Sequence, residues 1–148
     1  MSLQTLFLRL GNPFLTALLR SPLHRMADGS MMLISVTGRR SGKVYTTPVN
    51  YLRDGDSLTV VSMRERTWWR NLRGGAEVGL NLQGRGRRGW ATVAESDASV
   101  AQALGRTLSS HPAHARFLAV TMRSDGTADP DDLARAARSR VVVSTQLR

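Results

Sequence analysis

Residues 31–63 read MMLISVTGRRSGKVYTTPVNYLRDGDSLTVVSM, and the texture of this stretch decides the fold. The β-forming run MMLISVT (31–37) stops at the glycine-rich turn GRRSGK (38–43). The chain resumes as VYTTPVNYLR (44–53), turns at Asp54-Gly55-Asp56 and returns as SLTVVSM (57–63). Tight turns between β-branched runs predict two consecutive hairpins, hence an antiparallel meander; a doubly wound sheet needs a helix-length crossover between successive strands.

After this stretch, RTWWRNLRGG (66–75) has helical spacing at Trp69 and Leu72 and a glycine pair to stop it. VGLNLQ (78–83) and RGWATVAES (88–96) form a third strand pair across a Gly84-Arg85-Gly86-Arg87 tip. Asp97 is placed to N-cap a helix over 98–109, and a shorter helix follows Pro112. Residues 123–129 crowd turn formers into an exposed loop, Pro130 starts a helix through Arg138, and RVVVSTQL (140–147) is a closing strand. Upstream, Leu3 to Arg20 carry Leu and Phe near helical spacing, interrupted at Gly11-Asn12-Pro13. This N-terminal helical segment, residues 1–25, either caps the core or lies on a membrane interface. The order of elements predicts an α+β chain: one small antiparallel β-barrel domain over 1–148, flanked by helices.

Composition narrows the chemistry. With 148 residues, 41% of them hydrophobic, the chain has the material for one compact core and is not a disordered protein. Arg9 and Arg20 interrupt the long apolar stretch before it reaches membrane-spanning length. The absence of cysteine excludes disulfides, a thiolate nucleophile and Cys-ligated metal, and together with the lack of a secretory pattern makes the cytoplasm the expected compartment. The net charge is +10, and it is unevenly placed: residues 1–90 hold 14 basic against 5 acidic side chains, residues 91–148 hold 7 against 6. An anionic partner is expected in the first part, whether a phosphate ligand, a polyanion or an acidic membrane; the plain alternative is a solvated arginine surface.

The turn from Thr37 to Lys43 concentrates that charge, with two glycines, three cations and two hydroxyls in seven residues. Glycines let backbone N–H groups converge on phosphate oxygens while arginines supply forked charged bonds. It is not a Walker loop, having one residue too few before Gly42-Lys43 and a strand where a helix should follow. His111 and His114 share a helical spacing but have no cysteine or nearby carboxylate to complete a metal site, so no metal is expected. No G-x-S-x-G elbow and no carboxylate pair is present. An enzyme of this composition relies on a cofactor for its reactive atoms. Trp68 and Trp69 then read as flat walls for such a cofactor, or as ordinary packing over a barrel mouth. Nucleic acid ranks last, because only Tyr45 and Tyr51 offer a stacking surface on the strands.

Residues 36–82, with TGRRSG, TTP, a strand ending in RDG, and a W-x-x-NL helix, resemble the deazaflavin-dependent nitroreductase family. The resemblance implies a split β-barrel related to FMN-binding flavoproteins. It also implies a reductase that passes hydride from reduced coenzyme F-420 to a small-molecule acceptor, a quinone, enone or nitro compound. FMN is the alternative cofactor, and a non-catalytic deazaflavin or phosphate carrier the alternative function. Carried over by position, Arg39, Arg40, Ser41 and Lys43 take the phosphate and acidic tail, and Thr46, Thr47, Pro48 and Val49 line the ring. Val61 and Ser62 lie near its reactive part, with Ser62 in the catalytic role, and Trp68, Trp69 and Asn71 close over it. The chain departs from the pattern at Tyr45, where a basic residue is usual, and at His111, His114 and Phe117, where nitro-activating members carry tyrosines. Peripheral membrane contact and a homodimer complete the expected partners.

Overall fold

The computed structural model describes residues 31–148. Seven strands, all paired antiparallel, run β1 (Met31–Thr37), β2 (Val44–Asn50), β3 (Leu52–Asp54), β4 (Ser57–Met63), β5 (Ala76–Leu82), β6 (Arg85–Ala94) and β7 (Arg140–Leu147). Their order in the sheet is β2-β1-β5-β6-β7-β4-β3. Two α-helices, α1 (Asp97–Ser110) and α2 (Pro130–Arg138), and two 3-10 segments, Trp68–Leu72 and Pro112–Leu118, complete the described residues. The expected N-terminal helical segment, residues 1–25, lies outside them. No helix among them is long and apolar enough to cross a membrane.

The run expected as one strand over 44–53 is divided at Tyr51, and that division closes the sheet. β2 pairs only with β1 at one edge and β3 only with β4 at the other, yet a single residue separates them. The chain therefore bends at Tyr51, which is only 5% exposed, and joins the two edges of the curled sheet. Pro48 is tolerated because β2 is an edge strand, where a missing N–H costs no ladder bond. Beyond the corner, β2 and β4 share no backbone pairing, which leaves the barrel split along that line. This is the expected split β-barrel.

Two further expectations are corrected in detail. The β5–β6 turn is the two-residue Gln83-Gly84, with φ of 51° and 79°, because Leu82 pairs with Arg85; Arg85 to Arg87 belong to β6 rather than to the tip. Positive φ at both central residues is the type I′ geometry that matches strand twist. Ser96, not Asp97, caps α1: its hydroxyl accepts the Ser99 N–H, and Asp97 falls inside the first turn.

Inside the barrel lie Ile34, Val36, Leu58, Val60, Val78, Leu80, Val141 and Val143, with Trp69 and Leu72 at one end. The outer face of β4 and β7 is covered by the helices, where Val142 meets Val100, Leu104 and Leu108 of α1 and Ala136 and Ala137 of α2. Alternation along β7 thus serves two cores, Val141 and Val143 inward and Val142 outward. Each buried Leu or Val contributes about 1.5–3 kcal/mol relative to exposure.

Candidate functional site

Two concavities flank the split. The first, about 780 Å³, lies at the end of the barrel where the 38–43 turn meets the first 3-10 segment, and is lined by Gly38, Arg39, Arg40, Ser41, Tyr45, Thr67, Trp68, Arg70, Asn71 and Arg73. The second, about 430 Å³, is lined by Asn50, Tyr51 and Leu52 at the corner, Thr59 to Met63 of β4 except Val60, His114, Phe117 and Leu118 of the second 3-10 segment, and Arg140. Both fall in the range of small-molecule sites.

The turn is built by its own backbone. The Gly38 N–H donates to the Lys43 carbonyl (2.7 Å) and the Gly42 N–H to the Gly38 carbonyl (2.9 Å), with Gly42 at φ +70°. At Gly38 a Cβ would stand 2.8 Å from the Tyr45 ring and 2.9 Å from Ser41 Oγ, so both side chains would have to shift to admit one. Asn71 fastens the turn to the 3-10 segment. Its Oδ1 accepts the Arg39 N–H (3.2 Å), its carbonyl accepts Arg39 Nε (3.2 Å), and its own amide donates to the Trp68 carbonyl (3.1 Å).

The 3-10 geometry supplies cations that helical spacing did not reveal. With three residues per turn, Thr67, Arg70 and Arg73 fall on one ridge, and all three line the basic pocket. Their support is Trp69, buried to 2%, over whose ring the Arg70 and Arg73 guanidinium carbons sit 5.7 and 5.3 Å from the centroid. Arg73 is also held bidentately by Glu95, with bonds of 2.8 to 3.1 Å. Arg39, Arg40 and Arg70 make no ion pair with a carboxylate among the described residues, so the pocket keeps a net positive field.

A hydrogen bond links the two concavities: Trp68, in the wall of the basic pocket, donates from Nε1 to the Ser62 hydroxyl (3.2 Å) in the wall of the apolar one. Ser62 is 7% exposed and its hydroxyl donates only a long bond, 3.3 Å, to the neighbouring Met63 carbonyl. The indole therefore fixes the oxygen while the proton stays available for a better acceptor.

Of the residues singled out from sequence, the basic pocket gathers Arg39, Arg40, Ser41, Trp68 and Asn71, and the apolar pocket gathers Val61 and Ser62. Lys43, Thr46, Thr47, Pro48, Val49 and Trp69 line neither. Thr46 bonds Ser35 of β1 (2.7 Å), and Val49 and Trp69 pack in the barrel core. The tryptophan pair thus divides, one wall and one buried support. Sequence reasoning missed Arg70 and Arg73, whose signal was the three-residue spacing from Thr67. It also missed the corner residues Asn50 to Leu52, which no local pattern marks. Among the described residues no three metal-ligating side chains cluster.

Residues 20–124 match the family described as F420H(2)-dependent quinone reductase. No curated protein matches the chain. Among solved structures, a chain determined as a domain-swapped dimer aligns with a TM-score of 0.53 and 14% identity, over 96% of this chain and 98% of that one. A proposed pyridoxamine 5'-phosphate oxidase from Listeria innocua aligns with a TM-score of 0.50 and 12% identity, over 95% and 94%. At such identities the likeness is one of fold.

Proposed function

The chain belongs to the F420H(2)-dependent quinone reductase family, and from that premise we propose that it is a deazaflavin-dependent reductase whose acceptor, a quinone, occupies the apolar pocket. The observation that carries the reading is the pairing of a cationic pocket with an apolar one through the Trp68–Ser62 bond. The donor set fits coenzyme F-420: guanidinium groups of Arg39, Arg40 and Arg70 without carboxylate partners among the described residues, beside the Ser41 hydroxyl, suit a phosphate and an acidic tail. When bound, the deazaflavin supplies the hydride.

The residues of this chain bind, orient and stabilise. Arg40 and Arg70 hold the anionic end, and Asn71 keeps the turn and the 3-10 segment in register so that their charges converge. Ser62, its oxygen fixed by Trp68, turns its proton toward an oxygen on which negative charge accumulates. Val61 and Leu118 give the acceptor an apolar wall. The direct test mixes the protein with reduced deazaflavin and a water-soluble quinone and follows the cofactor's absorbance. Reoxidation that needs both the protein and the quinone supports the reading; a protein that binds deazaflavin without promoting reoxidation would be a carrier.

A further inference from the structure

Reducing a quinone to a hydroquinone needs a proton as well as a hydride, and a group that delivers it must stand in the wall of the apolar pocket. Its polar lining is Asn50, Tyr51, Thr59, Ser62, His114 and Arg140. Amides and aliphatic hydroxyls do not release protons near neutrality, a tyrosine does so near pH 10, and arginine keeps its charge throughout. The Arg140 guanidinium is in any case engaged by the Ala136 carbonyl and the Ser139 hydroxyl. That leaves the imidazole of His114.

Its placement suits the task. The ring lies against Phe117, centroids 5.4 Å apart and planes at 42°, and neither ring nitrogen has a hydrogen-bond partner among the described residues. The backbone N–H of His114 donates to the His111 carbonyl (3.0 Å), which fixes the start of the 3-10 segment. His111 itself is committed elsewhere, with Nε2 3.0 Å from Asp54 Oδ2 of β3, and it does not line the pocket. Phe117 is 72% exposed at the pocket's mouth, so water reaches the imidazole from outside.

We propose that His114 is the acid that protonates the quinone oxygen, an inference that rests on the functional reading above. A bound reduced deazaflavin would supply the hydride with its electron pair and be oxidised in turn, and the quinone so reduced would carry one oxygen as a phenolate. The N–H bond of the His114 imidazolium breaks, its proton forms the phenolic O–H, and the hydroquinone leaves neutral imidazole, recharged from solvent. Burial, and then the nearby charge of His111, hold the His114 pKa below its ordinary value. The other charged groups around it are Arg140 of β7 and, through His111, Asp54 of β3. Turnover therefore rises as pH falls through a limb below the usual histidine range of about 6.5.

The test compares the pH profile of kcat for quinone reduction in the wild type and in His114→Gln. It is paired with NMR titration of the histidine rings in cofactor-free protein with and without a soluble hydroquinone. Loss of the acid limb, with kcat down roughly 100-fold at its plateau as for other general acids, and a hydroquinone-dependent shift of the His114 ring support the assignment. A variant that keeps the limb and its rate overturns it. If the variant does not fold, a His114 ring unmoved by saturating hydroquinone in the wild type overturns it equally. A wild type whose His114 responds to hydroquinone but which reduces no quinone would instead sink the functional reading, and the proton-transfer role with it.

Discussion

Ser62 shows how far a single residue was legible. The resemblance assigns it a place near the reactive part of the ring, but only the structure shows why its hydroxyl is oriented, through an indole six residues later in the chain. Ser62→Ala is expected to lower kcat by about 10-fold or more while leaving deazaflavin affinity nearly unchanged, the pattern of an interaction made mainly in the transition state. Trp68→Phe should show the same split in milder form, since it frees the hydroxyl without removing it. Equal loss of affinity and turnover in Ser62→Ala would make Ser62 a packing residue. The cations behave differently. Arg40→Ala and Arg70→Ala should each weaken deazaflavin binding by about 1–3 kcal/mol, as a lost charge-assisted bond does, with thermal stability retained. Arg70 was hidden because a 3.6-residue reading of RTWWRNLRGG aligns Trp69 with Leu72 and Arg73, whereas the 3-10 period aligns Arg70 with Thr67 and Arg73.

At the scale of elements, periodicity and turn chemistry carried most of the information. The bounds of β1, β4, α2 and β7 coincide with the sequence reading because glycine turns, a proline at the helix start and, in β4, strand alternation each act locally. The break at Tyr51 was not legible, because a bend that joins two sheet edges is dictated by partners far along the chain rather than by its own residues. Gly75 tests the contact between the first 3-10 segment and β6. It sits at φ +90°, and an added Cβ would lie 2.6 Å from the Trp90 ring. Gly75→Ala should therefore cost about 1–3 kcal/mol in backbone strain alone, read as a lower denaturation midpoint; an unchanged midpoint would show that the turn relaxes freely. α2 offers a pH test. The Asp132 carboxyl accepts the Thr121 N–H (2.9 Å) and pairs with Arg135, and these bonds hold its pKa below the ordinary carboxylate value. A depressed carboxylate stabilises the fold above its unfolded pKa and loses that contribution as pH falls through the folded one. In Asp132→Asn the denaturant midpoint should thus fall less steeply than in the wild type as pH drops below about 4.

For the whole molecule, the uneven charge visible in the sequence becomes spatial: the basic turn and the arginine ridge converge on one pocket at one end of the split, and the titratable His114 stands in the wall of the other. The composition announced an anionic partner, but which cations face a common cavity depends on closing the barrel, which brings residues 38–43 beside 67–73. Deazaflavin affinity should accordingly fall as ionic strength rises past about 0.1 M, where the screening length drops to about 10 Å. The central claim is that this cationic pocket selects an acidic-tailed deazaflavin, and the measurement closest to it is calorimetric titration of coenzyme F-420 and FMN, in parallel, into the wild type and the Arg40→Ala/Arg70→Ala double variant. The wild type is expected to bind coenzyme F-420 more tightly than FMN, and the double variant to lose at least about tenfold of that affinity, the equivalent of 1.4 kcal/mol. FMN bound as tightly as coenzyme F-420, or a double variant with wild-type affinity, would contradict it.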